Sequence, residues 1–337
     1  MRGPRKGLIG PWGHEFPHIA TPGPRIDFIG YVQRWFDHWL KGQETGMMEE
    51  PMLTYWQQRP EPPRARYEQR QGRWAAERRW PSADVQARTL HLAPGRLQDA
   101  PAKFTATLCS PATTGLASGE WCPYGWGPDM PGDQREDDAG SLCFDAPVAT
   151  TAQQLLGRAQ VRLRLCSDNP LAMLAVRLNA VAPDGVAIRI SYGLLNFAAR
   201  NGFDRAEPLV PGHYYDVSVM LKAVAFILPA GYRLRVALST SYWPLAAPLP
   251  VRHVLTVQSG SLVLPLRDPE AATCPPPALG EPWSPPPVPA RVLVAPARWR
   301  QRLTRDMDDG ETTLEVVRNL GALTLEETGL RLEALGR

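Results

Sequence analysis

Apolar and polar residues alternate with a period of two through much of the middle of the chain. Val161, Leu163 and Leu165 fall on one face of a segment that carries Arg162 and Arg164 on the other. Tyr232, Leu234, Val236 and Leu238 do the same against Arg233 and Arg235. A strand sends successive side chains to opposite faces, so this pattern predicts half-buried β-strands. Residues 52–56, 89–92, 171–181, 186–192, 215–221, 253–257 and 262–266 are further strand candidates. Turn residues punctuate them: Pro183-Asp184-Gly185, Pro211-Gly212, Pro229-Ala230-Gly231 and Ser259-Gly260. Many short strands separated in this way predict a β-sandwich or jelly roll.

The first fifty residues follow another pattern. Gly7-Leu8-Ile9 reads as a short buried strand, and a Gly/Pro loop follows it to Pro24. From Ile26 to Lys41 the apolar positions recur every three to four residues: Phe28/Ile29, Val32, Trp35/Phe36 and Trp39/Leu40. That spacing predicts an amphipathic helix, with Asp27 as its start signal and Gly42 as its stop. Strand, loop and helix in this order belong to α/β architecture. At the other end, nine prolines in residues 269–289 predict a stiff extended linker. Beyond it, 291–294 and 312–317 read as strands, and 322–332 is mixed. Such a tail is too small to fold alone and is expected to pack on the main domain or to begin something longer. The expected division is 1–50, 51–268, 269–290 and 291–337, and the expected class is mainly β.

Charge narrows the function. With 37 basic and 34 acidic residues the net charge is only +3, too balanced for nucleic acid as main partner. No apolar run approaches the ~18 residues of a membrane-spanning helix, and the N-terminus lacks a secretory apolar segment. A cytoplasmic protein with no membrane partner is expected. The five cysteines show no zinc spacing. Cys109 and Cys122 could pair across a Gly/Ser-rich loop, although free thiols suit the compartment better. The acidic run Asp133, Glu136, Asp137 and Asp138 is expected on a solvated loop. Arg59–Arg79, with Glu61, Glu68 and Glu77 among its arginines, is expected to form an exposed hairpin. Trp121, Tyr124 and Trp126 cluster on the long loop 110–138. They either line a ligand pocket, together with Trp12, or pin the loop.

His14 is the sharpest chemical candidate. It follows the first strand and a Gly-Pro-Trp-Gly turn, where α/β enzymes hold a general base. The segment KGLIGPWGHE, followed by YVQRWFDHWLKG, resembles the end of the catalytic domain in the cocaine esterase-like and Xaa-Pro dipeptidyl-peptidase family of α/β-hydrolases. Gly132–Phe144, Val161–Gly185, Ser191–Asn196, Pro208–Leu221 and Pro229–Pro244 resemble that family's C-terminal jelly-roll domain. The likeness runs over roughly residues 3–267. It implies a jelly-roll β-sandwich preceded by the last strand and helix of an α/β-hydrolase domain. It implies a serine hydrolase of ester, amide or Xaa-Pro peptide bonds, needing no cofactor or metal, with His14 as the triad base.

The family's triad runs Ser, Asp or Glu, then His along the chain. Only 13 residues precede His14, and the sequence contains no G-x-S-x-G. No Asp occurs before Asp27. Residues 1–337 are therefore expected to be inactive alone. The partner that completes them would be an N-terminal α/β-hydrolase portion or a complementing chain, with a small ester, amide or peptide as substrate. The first strand is expected to pair with a sheet this sequence does not encode, leaving the helix face of Phe28, Val32, Trp35, Phe36 and Trp39 without its main packing surface. The alternative is a standalone β-sandwich binding module without catalysis. Homo-oligomerisation is left open.

Overall fold

The computed structural model describes residues 3–272, 274–296 and 299–336. Alternating segments become long antiparallel strands. β1 is Gly7–Ile9, β2 Leu53–Gln58, β3 Gly72–Glu77, β4 Val85–Ala93, β5 Arg96–Gln98, β6 Ala106–Leu108 and β7 Leu142–Asp145. β8 is Gln153–Ser167, β9 Met173–Val181, β10 Ala187–Asn196, β11 Tyr215–Leu228, β12 Arg233–Ser239 and β13 Leu255–Arg267. Their order is β1-β2-β11-β8-β13-β4-β5-β7-β12-β9-β10, with β3 on β2 and β6 on β13. The fold is a β-sandwich. Leu174, Val176 and Leu178 of β9 and Val236 and Leu238 of β12 meet Val161 and Leu165 of β8 in one core, closed by Val219 and Leu221 of β11 and Leu255 and Leu262 of β13. Each such side chain stabilises the fold by about 1.5–3 kcal/mol on burial.

Two expectations about strands are corrected. Segments 253–257 and 262–266 are not separate strands around a Ser259-Gly260 turn. They are one strand, β13, with a bulge between Val257 and Ser259 in its pairing with β8. Gly260 passes so close to β8 that a Cβ there would lie 2.6 Å from Leu163 Cδ2 and 2.8 Å from the Arg162 carbonyl oxygen. The glycine serves close approach of strands and not a reversal of direction. The first strand also finds a partner within the chain. β1 pairs in parallel with β2, Gly7 opposite Leu53 and Ile9 opposite Tyr55. Gly7 leaves room for Leu53, whose Cδ1 stands 3.0 Å from where a Cβ would sit. The other edge of β1 pairs with no strand among the described residues.

The helix α1 spans Phe28–Lys41. Asp27 Oδ1 accepts from the Gly30 amide at 2.9 Å, the expected N-cap bond. Gly42, at φ 67°, closes the C-terminal end. None of the helix's residues is buried, and Phe36 and Trp39 remain 50% and 45% exposed. The Arg-rich stretch supplies the loop and second strand of a hairpin, β2 paired antiparallel with β3 and Trp56 opposite Trp74, but the hairpin is packed in and not exposed, with Tyr55, Gln57, Ala76 and Glu77 buried. Its connecting loop folds back, with Tyr67 buried beneath the Arg70 guanidinium, 4.1 Å from the ring centroid.

The proline-rich segment runs past the start of α1, where the Asp27 amide donates to the Leu279 carbonyl at 2.9 Å. The tail forms its own sheet from β14 (Ala290–Val294), β15 (Arg300–Arg305), β16 (Thr312–Leu325) and β17 (Arg331–Gly336), with β16 central. β15 was not visible in the sequence pattern because all six of its residues are exposed. The sheet packs on the loop after β6. Gln301 Nε2 donates to Glu120 Oε1 at 3.2 Å, and Arg318 pairs with the same oxygen. The Trp299 ring lies against Gly127. All five cysteines are free thiols, so Cys109 and Cys122 do not pair.

Candidate functional site

β1 delivers the chain into a loop whose first anchor is Trp12. Its indole N–H donates to the Pro24 carbonyl at 2.7 Å, and its ring lies 5.9 Å from Trp74. Trp74 in turn stands edge-on to Trp56 at 5.3 Å. Trp12 thus fastens the loop to the β2–β3 hairpin. The next two residues are gripped from two sides. The Gly13 amide donates to Thr21 O at 3.2 Å, and the His14 amide to Pro123 O at 2.8 Å. The backbone of His14 is therefore fixed while its side chain is exposed. The imidazole sits edge-on to Tyr124, with centroids 5.2 Å apart and planes at 81°. Tyr124 is 5.1 Å from Trp126. Among the described residues, no hydrogen bond or ion pair engages the His14 ring.

The loop that meets His14 is built around one buried carboxylate. Asp129 is fully buried, and its Oδ2 accepts from the amides of Tyr124 at 2.9 Å and Gly125 at 2.8 Å. Its Oδ1 has no partner among the described residues. Burial pushes this carboxyl above its ordinary range, against the pull of the two amides. Gly125, at φ 82°, packs so tightly on the other loop that a Cβ would stand 2.1 Å from Thr21 O. Gly125→Ala is expected to lower stability by about 1–3 kcal/mol and to part Tyr124 from His14. Hydrogen exchange of the 121–130 amides measures this; unchanged protection would show that the two loops are not interlocked.

Further along, the same loop is moored to the sandwich by a polar network. Gln134 Nε2 donates to Ala117 O and Gly132 O, both at 2.8 Å. The short helix α2, Arg135–Ala139, places Asp137 and Asp138 beneath β9. Asp137 Oδ1 accepts from the Gly115 amide at 2.8 Å. Arg177, with no exposed surface, reaches Asp138 Oδ1 at 3.1 Å, Asp137 Oδ2 at 3.8 Å and Ser141 Oγ at 2.6 Å. Arg235 joins Asp138 to Asp145, at 3.1 and 2.8 Å. Burial raises the Asp137 and Asp138 carboxyls above their ordinary range, with Arg177 opposing it. For Asp145 the desolvation is outweighed by hydrogen bonds from Arg235 and Arg233, so its carboxyl is held low.

Half of the acidic run departs from the expected solvated loop: Glu136 is exposed and Asp133 pairs with Arg135 at the surface, but Asp137 and Asp138 answer their arginines inside the protein. Asp137 and Asp138 are buried because Arg177 and Asn179, on the second face of β9, need partners there. The structure brings together His14, Tyr124 and Trp126, and it engages the other two candidates elsewhere. Trp12 is committed to Trp74. Trp121 turns to β10 and β11, edge-on to Tyr192 at 6.4 Å and under Lys222 Nζ at 4.3 Å. A cavity of about 410 Å³ lies between Trp121, Leu245 and the Leu314 and Val316 side of β16. Sequence reasoning missed Asp129 and Arg177. No local motif marks Asp129, but an arginine among the apolar residues of β9 is a readable signal.

The sandwich, with β1 added to its sheet and α1 between β1 and β2, defines a mainly β protein. The chain belongs to the family of X-Pro dipeptidyl-peptidase C-terminal non-catalytic domains, whose profile matches residues 48–292. It is 28% identical over 120 residues to the cocaine esterase of Rhodococcus sp. (strain MB1 Bresler), covering 35% of this chain and 21% of the esterase. A crystallised aminopeptidase from a Thaumarchaeota archaeon shares the fold at a TM-score of 0.60 and 17% identity, over 78% of this chain and 50% of that one. A CocE/NonD family hydrolase from Staphylococcus aureus shares it at 0.54 and 13%, over 71% and 46%. The chain therefore spans half or less of the length of each. No helix among the described residues is long and apolar enough to cross a membrane.

Proposed function

We propose that residues 1–337 are the C-terminal portion of a serine acyl hydrolase acting on ester, amide or Xaa-Pro peptide bonds, and that His14 is its general base. The placement of His14 carries this reading. It sits on a braced loop at the carboxyl end of a parallel strand, with its backbone fixed and its imidazole exposed beside Tyr124. In the reaction, His14 accepts the serine hydroxyl proton as the oxygen attacks the acyl carbon. It then returns that proton to the departing alkoxide or amine, and water repeats the cycle on the acyl-enzyme. This reading places the serine and the orienting carboxylate outside these residues, in keeping with the absence of a G-x-S-x-G nucleophile motif from the sequence. The open edge of β1 and the exposed aromatic residues of α1 form the surface on which that portion docks. The sandwich presents Tyr124 and Trp126 at the rim of the site.

The test uses the native protein, immunoprecipitated from its source cells with an antibody against the sandwich and probed with a fluorophosphonate. A serine labelled on the same polypeptide or on a tightly associated chain, with ester or amide turnover that the label abolishes, is expected. Residues 1–337 alone should show neither. Turnover by residues 1–337 alone that the fluorophosphonate abolishes would overturn the proposed division of the triad. Absence of any labelled serine and of turnover in the native form would leave a β-sandwich binding module as the better reading.

A further inference from the structure

We infer that the outer face of the sandwich carries a site for a phosphoryl-type oxyanion, centred on Arg162. Strand register sets the arrangement. Arg162 of β8 stands opposite Ser218 of β11 on one side and Ser261 of β13 on the other. Ser261 in turn stands opposite His91 of β4. Hydroxyl, guanidinium, hydroxyl and imidazole therefore form one row across four strands spaced about 4.8 Å apart. The row lies in a groove of about 480 Å³, walled by Pro101 and Ala102. Gly260, with no side chain of its own, lies in that lining beside Ser259 and Ser261.

The charge on this row is uncompensated and oriented. Among the described residues, Asp216 is the only carboxylate residue lining the groove, and it is spent on Arg164, whose Nη1 it meets at 2.9 Å. Arg162 has no acidic partner among the described residues. Its Nε donates to Gln160 Oε1 at 3.0 Å, which orients the guanidinium and leaves both Nη groups without a hydrogen bond among the described residues. Gln258 orients Arg164 in the same way at 3.1 Å. The hydroxyls of Ser218 and Ser261 and the ring of His91 also have no partner among the described residues. A guanidinium fork flanked by two hydroxyl donors suits an anion with several acceptor oxygens, as a phosphoryl group has. Among the described residues the groove lining holds no aromatic ring apart from the imidazole, so no stacking platform for an aromatic group accompanies the anion site.

Inorganic phosphate titrated into ¹⁵N-labelled full chain is the direct probe. Saturable shifts confined to the amides of 160–164, 216–218 and 259–261 are expected. Arg162→Gln should weaken binding by roughly tenfold or more, the loss of a charge-assisted bond. Ser261→Ala should weaken it by a smaller factor. Arg135→Gln, an exposed arginine paired with Asp133 elsewhere, should leave it unchanged. All three sites are at the surface, and thermal midpoints verify that the variants fold. Glycerol phosphate and phosphatidate vesicles distinguish the source of the group. Competition by glycerol phosphate assigns a soluble phosphate ester, and Arg162-dependent vesicle binding assigns a lipid headgroup. Phosphate shifts that do not saturate, or that Arg162→Gln leaves intact, overturn the inference.

Discussion

Replacing Arg177 with Met is expected to lower the unfolding free energy by about 3–5 kcal/mol, a large share of a typical domain's 5–15 kcal/mol. The side chain is fully buried and faces two buried carboxylates, Asp137 and Asp138. Methionine fills most of the space but, among the described residues, leaves Asp137 with no ion-pair partner and Asp138 with Arg235 alone. The loss arises from stranding charge in a poorly polarisable interior, and only secondarily from the missing hydrogen bonds to Gln134 and Ser141. Urea unfolding followed by tryptophan fluorescence measures it through the midpoint at constant slope. Adding Asp138→Asn should recover part of the loss, because it removes the charge that the first substitution stranded. A midpoint within error of wild type for Arg177→Met would show that the network does not hold the sandwich.

The same cluster gives the loss a pH signature. The folded pKa values of Asp137 and Asp138 already lie above the ordinary value of 3.8. Groups raised in this way contribute stability at pH below their unfolded pKa, and the contribution is lost as pH rises through the folded pKa. Removing Arg177 raises them further, so the folded variant holds protons that the unfolded chain has released. The deficit of Arg177→Met is therefore largest at neutral pH and shrinks as the pH falls towards 4. Asp145 acts in the opposite sense. Its carboxyl is held low by Arg235 and Arg233, and its contribution disappears only as pH falls below the ordinary carboxylate range.

The parts of this structure legible in the sequence are those that a single period specifies. Val161, Leu163 and Leu165 alternate with arginines, and β8 follows; Phe28, Val32 and Trp39 recur at helical spacing between Asp27 and Gly42, and α1 follows. The parts that were not legible depend on residues far apart in the chain. Ser259-Gly260 has the composition of a turn, but both residues stay paired with β8, opposite Arg164 and Leu163, just past a bulge between Val257 and Ser259, and Gly260 serves the close approach to Leu163. Asp137 and Asp138 have the composition of a solvated loop, but Arg177, forty positions away, draws them inward. β9 could have warned of this. All nine of its residues are buried, so its Arg177 and Asn179 had to face partners inside the protein. At the candidate site, the loop histidine stood out through its local context and its family likeness. Tyr124 and Trp126 are aromatic residues on a long loop, and nothing local separates them from Trp121. The hydrogen bond from the His14 amide to Pro123, with the packing of Gly125 on Thr21, decides which of them lies beside the imidazole.

His14→Ala, in the form of the protein that carries the nucleophile, is expected to lower kcat by roughly 10⁴- to 10⁶-fold. This rests on the proposed role, in which one imidazole both activates the serine and protonates the leaving group. Without it the serine hydroxyl must shed its proton to water, and the departing group leaves as an anion. The loss corresponds to about 5–8 kcal/mol of barrier. It should appear in kcat with little change in KM, because the imidazole acts on the reacting atoms and not on remote parts of the substrate. Tyr124→Phe should be nearly silent, since the contact is made by the ring and not by the hydroxyl. Tyr124→Ala should cost activity by a smaller factor, about tenfold, by freeing the imidazole to sample other rotamers. The variant's stability separates chemistry from folding: His14 is exposed, so its removal should leave the unfolding midpoint in place. An unfolding midpoint shifted as far as that of Arg177→Met would make His14 a structural residue. Retained turnover in His14→Ala would assign the proton transfer to another group.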